Sequence, residues 1–350
     1  MRASMPAYRI LGWGEPARLV EVVVPEPGPG QVRVRVAGCG LCHSDVAMGQ
    51  MPAAIGEALG WSVPFTLGHE TAGWVDAVGD GVASVVEGDP VAVASPASCG
   101  RCRWCLRGIE NACAEGLVGR GYGRDGGLAQ HVLVDEADRL LFPLGTLDPA
   151  VAGPLTDAGA TSHHAVRRVL PRLQADGAAV VLGIGGLGAY VVQLLVALAD
   201  VPVVAVDPNP ARRALAGELG ATHVVDGVGP DTFEGIRDAL GGVPVDAVVD
   251  VVGIDDSIAL GTRLLAPGGA LALVGAAGGT LRRPWFSTLP QDGELFTFQG
   301  SDLADARAVL DLAAAGRIRV DVEPFGLDEV DAAYAAMEAG TLGGRAVVRP

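Results

Sequence analysis

The chain has 350 residues, nearly half of them apolar, and a formal net charge of −16. Its length suits two domains of ordinary size rather than one small core, and its acidity, with no basic run, excludes nucleic acid and anionic lipid surfaces as partners. All 25 basic side chains are arginine, which excludes a Schiff-base lysine, a P-loop lysine and the Tyr/Lys proton donor of short-chain dehydrogenases.

In chain order, the N-terminal "MRASMPAYRILGWGEPARLV" lacks the basic segment, apolar run and cleavage site of a secretion signal. The expected address is therefore the cytosol, where thiols stay reduced. Residues 31 to 37, "QVRVRVA", alternate polar and apolar and predict a half-buried strand. Short strand-like runs punctuated by Gly and Pro continue to about residue 145, so this half is read as β-rich. The longest apolar stretch, 178 to 199, is broken by glycines and reads as strand, turn and helix rather than a membrane span.

Within the β-rich half, Cys99, Cys102, Cys105 and Cys113 fall in "CGRCRWCLRGIENAC". Four thiols so close suggest either a disulfide cluster or a metal site. In a reducing compartment the metal site is the expected outcome: C-x-x-C-x-x-C-x7-C offers four soft thiolates to a closed, tetrahedral structural zinc. Such a site holds on the order of 10 kcal/mol of apparent binding free energy.

From residue 178 onward, continuous apolar strands alternate with helical stretches: "AAVVL", "AYVVQLLVALA", "PVVAVD", "ARRALAGELG", "DAVVDVVG", "SIALGTRLL" and "GALALVG". The alternation predicts an α/β, doubly wound parallel sheet with crossover helices. The turn after its first strand holds Gly183, Gly185, Gly186, Leu187 and Gly188 as G-x-G-G-x-G. It suits the approach of a dinucleotide pyrophosphate to a helix N-terminus. Asp207, at the end of the next strand, is the expected acceptor for an adenosine ribose hydroxyl and sets NAD above NADP, whose 2′-phosphate its charge repels. Arg212 and Arg213 lie near enough to temper that preference; both also read as solvated surface charge. The tail supplies the helical "ADARAVLDLAAAG" and "LDEVDAAYAAMEAG" and a strand-like "RAVVRP".

Three further segments carry potential ligands: "GLCHSD" (Cys42, His43, Ser44, Asp45), "LGHE" (His69, Glu70) and "PLTDAG" (Asp157). A Cys/His/Asp set satisfies a catalytic zinc with one position open. Spacing alone does not unite the three segments, and singly each residue also reads as a buried thiol, a core histidine or a helix cap.

In this order "GLCHSD", "LGHETAG", the four-cysteine lobe, "PLTDAGAT" and "LGIGGLG" resemble the zinc-dependent medium-chain alcohol dehydrogenases over essentially the whole chain. The pattern is most similar to the bacterial branch that interconverts secondary alcohols and ketones with NAD. The resemblance implies a β-rich GroES-like catalytic domain, 1–155 and 300–350, with a structural zinc lobe at 95–115. A Rossmann domain at 156–299 and an active site in the cleft complete the expected architecture. It makes Cys42, His69 and Asp157 the catalytic zinc ligands and the four lobe cysteines the structural set. Glu70 becomes a nearby carboxylate, Asp45 the acceptor for the other ring nitrogen of His69, and Cys39 a neighbouring buried thiol.

The resemblance also implies a proton relay beginning at Ser44. Many relatives complete it with a histidine where this chain has Ala47, so the outlet is expected through the cofactor ribose to solvent or through His43. Thr161 is placed beside the nicotinamide and Arg345 at the cofactor phosphates, while Ala47, Trp61, Phe298 and His43 are expected to line the substrate pocket. His131, His163, His164 and His223 are given no role. The implied cofactors are NAD and two zinc ions, and the implied assembly is a homodimer or homotetramer. The alternatives are a polyol or primary-alcohol dehydrogenase with the same zinc chemistry, or a structural or regulatory protein that binds cofactor without turnover.

Overall fold

The computed structural model describes residues 3–95, 98–116, 118–284 and 286–350, so Pro96 and Ala97 of the expected zinc lobe lie outside the described residues. The chain divides into two units: residues up to Ala160 together with Gly300–Pro350, and Thr161–Gln299.

The first unit is built on a sheet whose strands run Leu141–Pro143, Pro90–Val93, Glu70–Val78, Val32–Gly40, Arg345–Arg349 and Val322–Gly326, with His131–Val134 also paired to Val32–Gly40. The strand predicted at 31–37 extends to Gly40, and Val32, Val34 and Val36 all point inward, as its alternation requires. The C-terminal strand returns to this sheet: Val348 pairs with Cys39 and Val347 with Gly40. On the other side Gly40 pairs with Glu70, which sets the end of one strand beside the start of the next. A short 3-10 turn, Gly153–Thr156, lies against both strands. A Cβ at Gly153 would stand 2.1 Å from the Glu70 carbonyl oxygen. The close approach requires glycine there and delivers Asp157, the next residue after the turn, to the same strand ends.

The second unit is a six-stranded, wholly parallel sheet. Across it the strands run His223–Asp226, Val203–Asp207, Ala178–Leu182, Val245–Asp250, Leu265–Leu273 and Glu294–Thr297. In sequence order that is 3-2-1-4-5-6, the doubly wound arrangement of dinucleotide-binding sheets. Val180, Leu182, Val204, Val206, Val248 and Leu271 are buried together with Ile236, and each such side chain contributes roughly 1.5–3 kcal/mol. The strands His223–Asp226 and Glu294–Thr297 and the helix Thr232–Leu240 were not among the predicted elements. The edge strand His223–Asp226 is only half buried and so lacks the continuous apolar run of its neighbours.

Candidate metal and cofactor sites

Cys42 precedes the helix His43–Gly49 and ends the segment leaving the strand Val32–Gly40, whereas Glu70 opens the paired strand and His69 immediately precedes it. Together with Asp157 they offer four ligand atoms all within 4.8 Å of one another. His69 Nε2 lies 3.4 Å from Asp157 Oδ2, the separation of about 3.4 Å that tetrahedral ligands bonded at about 2.0–2.2 Å require. The opposite ring nitrogen, His69 Nδ1, faces Asp45 Oδ1 at 3.0 Å, and Asp45 Oδ2 accepts the Cys42 backbone N–H at 3.0 Å. One buried carboxylate thus ties the His69 ring to the Cys42 backbone.

The electrostatics of this cluster suit a cation. Burial pushes Glu70 up to about 7 against the pull of the Arg345 guanidinium, and Asp157 adds repulsion. Burial also acts to raise Asp157, but the hydrogen bond and charge of His69 hold it below the usual carboxylate range. Glu70 Oε1 accepts from Arg345 Nη2, while Glu70 Oε2 is buried without a hydrogen-bond partner among the described residues. An unmatched buried carboxylate oxygen among a thiol, an imidazole and a second carboxylate is the donor set that a divalent ion such as zinc satisfies. Cys39 stays outside it: burial pushes its thiol up to about 12, and its Sγ lies 3.6 Å from Thr71 Oγ1.

The cysteine lobe forms the second cluster, with the sulfurs of Cys99, Cys102, Cys105 and Cys113 within 4.8 Å of one another. All four are free thiols, not disulfides. The Cys99–Cys105 and Cys102–Cys105 sulfur separations of 3.9 and 3.5 Å bracket the roughly 3.8 Å edge of a tetrahedron with zinc–sulfur bonds of about 2.3 Å. Backbone N–H groups of Cys99, Cys102 and Ala114 donate to the sulfurs of Cys113, Cys99 and Cys102. Donors from Ala114 and Cys105 lower the Cys102 thiol to about 6, whereas burial and the neighbouring Cys102 push the Cys105 thiol up to about 12, so Cys102 is the readier thiolate of the two.

In the second unit the glycine turn opens the helix Gly188–Leu198, and a Cβ at Gly188 would stand 1.9 Å from the Gly183 carbonyl oxygen. Asp207 is buried at the end of its strand. Its Oδ2 accepts from the Ile184 N–H and its Oδ1 from the Asn209 N–H, both at 2.8 Å. The carboxylate therefore holds the glycine turn in place, a task the residue pattern did not assign to it. Arg213 is engaged by the Asp207 and Pro208 carbonyls and by Asp226, whereas Arg212 Nη1 would lie 3.7 Å from a Cβ at Gly185 and so faces the turn. Thr161 is buried in the helix Ala158–Val169. Phe298, expected in the substrate pocket, lies one residue past the strand Glu294–Thr297 and packs at 4.5 Å centroid separation on His164.

The other expected residues divide. Ser44 Oγ lies 3.5 Å from His69 Nε2 and so adjoins the cluster. His43 and Ala47 are exposed on the short helix, and Trp61 is buried, edge-on to Phe65. Arg345, expected at the cofactor phosphates, has its Nη2 on Glu70. His131 sits 3.6 Å from Asp76 on the strand His131–Val134, and burial lowers it. Sequence reasoning missed Tyr122, whose ring lies 4.6 Å from the His69 imidazole and whose hydroxyl lies 3.2 Å from Ser44 Oγ. The glycines flanking it in "GRGYGRDGG" were its one local signal. Among the described residues no helix is long and apolar enough to cross a membrane.

Two family models match the chain: the alcohol dehydrogenase GroES-like domain over residues 28–145 and the zinc-binding dehydrogenase over residues 186–315. A D-arabinose 1-dehydrogenase (NADP(+)) of Saccharolobus solfataricus is 31% identical over 97% of this chain and 95% of its own length. An NAD-dependent alcohol dehydrogenase of Sulfurisphaera tokodaii is 32% identical over 99% of this chain and all of its own. The crystal structure of the alcohol dehydrogenase from Aeropyrum pernix superposes with a TM-score of 0.88 at 31% identity, over 99% of this chain and 100% of that one.

Proposed function

This chain belongs to the zinc-dependent medium-chain alcohol dehydrogenase family, and from that premise we propose how its residues divide the reaction. It is a zinc-binding, NAD(H)-dependent oxidoreductase acting on an alcohol/ketone pair. The observation that carries the residue assignment is the convergence of Cys42, His69, Asp157 and Glu70 on one point.

Cys42, His69 and Asp157 hold the catalytic zinc, with Glu70 beside it, and Cys99, Cys102, Cys105 and Cys113 hold the structural zinc. When bound there, zinc would supply the Lewis acidity that makes an alcohol ionisable near neutral pH, and NAD would supply the hydride acceptor. Asp45 fixes His69 so that Nε2 presents its lone pair to the metal. Ser44 Oγ accepts the hydrogen bond of the substrate hydroxyl and passes a proton outward. With Ala47 following, the exposed His43 or the cofactor ribose carries that proton to solvent. Gly183, Gly185, Gly186, Leu187 and Gly188 cradle the pyrophosphate, with Arg212 facing it. Asp207 meets the ribose and favours NAD, Thr161 meets the nicotinamide and Arg345 the phosphates. Ala47 and Trp61 in the first unit and Phe298 in the second are the residues proposed for substrate contact.

The substrate class we favour is a secondary alcohol, on the ground that an aspartate, Asp157, stands third among the ligands. The archaeal relatives above place no weight on a specifically bacterial branch. Similarity to a D-arabinose dehydrogenase supports a second reading, oxidation of a polyol or sugar by the same zinc chemistry. An NAD-linked screen of secondary alcohols, primary alcohols, polyols and aldoses separates them. The highest kcat/KM is expected for a secondary alcohol, and a sugar or polyol in first place would reject that choice. We further propose a cytosolic address and a homo-oligomeric assembly, the latter being what the family resemblance implies.

A further inference from the structure

The turn between Gly119–Arg120 and Gly123–Arg124 is pressed into the metal cluster of the first unit. A Cβ at Gly121 would stand 2.7 Å from the Gly68 carbonyl and 2.9 Å from the His69 nitrogen, and one at Gly123 would stand 2.6 Å from the Trp61 ring. Both positions also hold positive φ, +77° and +74°, which side chains disfavour. The two glycines let the turn close on the Gly68–His69 segment that leads into the strand Glu70–Val78, and the residue between them, Tyr122, is driven inward. Its ring then lies against the His69 imidazole and 5.8 Å from Trp61, and its hydroxyl reaches Ser44 Oγ at 3.2 Å.

A serine hydroxyl has one proton to donate and two lone pairs to accept with. Among the described residues the Tyr122 hydroxyl meets one hydrogen-bond partner, Ser44, and either oxygen can donate; in the arrangement inferred below the phenol donates and Ser44 Oγ accepts. That bond fills one lone pair of Ser44. The second lone pair is left for the substrate hydroxyl, and the serine proton is left for onward transfer.

We propose that Tyr122 is a positioning residue, whose hydroxyl orients Ser44 Oγ for its proton-handling step. The inference rests on the function proposed above and adds a group that acts through Ser44 without meeting the metal itself.

The test is a double-mutant cycle of Tyr122→Phe and Ser44→Ala in the zinc-loaded enzyme. It reads kcat, KM and solvent deuterium isotope effect with NAD and the best alcohol, and the denaturant midpoint of all four proteins. Tyr122→Phe keeps the ring on His69 and removes only the hydroxyl. It is expected to lower kcat roughly tenfold, the scale of one hydrogen bond, and to change the isotope effect, with KM within about twofold. In the Ser44→Ala background the same change is expected to cost less than about twofold, with matching non-additivity in the midpoints. In a Ser44→Thr background, which keeps a hydroxyl, the full loss is expected to return. Equal losses with Ser44 intact and in the Ser44→Ala background, or no loss with Ser44 intact, would overturn the proposal while leaving alcohol oxidation in place. Absence of NAD-linked turnover by the unaltered protein would overturn the proposed function and this inference together.

Discussion

Asp45 Oδ1 stands 3.0 Å from His69 Nδ1 with both side chains fully buried, and the same carboxylate accepts the backbone N–H of Cys42. Orientation of a metal-binding imidazole by a carboxylate typically accounts for 10–100-fold in metal affinity. Asp45→Asn is therefore expected to weaken zinc at the Cys42 cluster by about that factor while leaving the cysteine lobe loaded, as read by chelator competition. Unchanged retention of both ions would show that Asp45 does not act through His69.

The lobe makes a separate prediction, because its four sulfurs are already spaced for a tetrahedral ion. Cys105→Ser is expected to remove about one equivalent of zinc and to lower the thermal midpoint, since structural zinc contributes directly to folding. The zinc at Cys42, His69 and Asp157 should remain. Metal analysis beside a melting curve checks both outcomes, and full zinc content in the variant would count against a structural site.

Asp207 joins cofactor choice to loop stability, because its two oxygens already accept from Ile184 and Asn209. Asp207→Ala is expected to raise the NADP to NAD ratio of kcat/KM. It is also expected to destabilise the protein by about 2 kcal/mol, the cost of losing charge-assisted hydrogen bonds to the buried Ile184 N–H and the part-buried Asn209 N–H. Kinetics with both cofactors and a denaturation curve test the two halves independently. An unaltered ratio would mean that the carboxylate serves the glycine turn alone.

The parts legible in the sequence are those in which neighbours along the chain are also neighbours in space. Four cysteines within one turn-rich segment announce a tetrahedral set by spacing, and G-x-G-G-x-G between strand and helix announces its own geometry. The apolar strands from Ala178 onward reveal the parallel sheet because burial on both faces leaves no polar alternation. Cys42, His69 and Asp157 lack that property: strand pairing of Gly40 with Glu70 and the turn at Gly153 bring them together, and neither is written in their spacing. Only resemblance to a family joined them beforehand. Tyr122 was missed for the same reason, since its direction is set by a turn packed on a distant strand. The second task of Asp207 depends on where a buried N–H happens to point, which no residue pattern encodes.

The central claim, that one ion held by Cys42, His69 and Asp157 carries the reaction, is tested most directly by removing and restoring that ion. NAD-linked alcohol oxidation should fall by about a thousandfold or more when the protein is stripped of zinc, as expected from the loss of several kcal/mol of charge stabilisation. It should return on zinc addition to the unaltered protein but not to Cys42→Ala or Asp157→Ala. Turnover that continues undiminished in the stripped protein, or full recovery in either variant, would contradict the account.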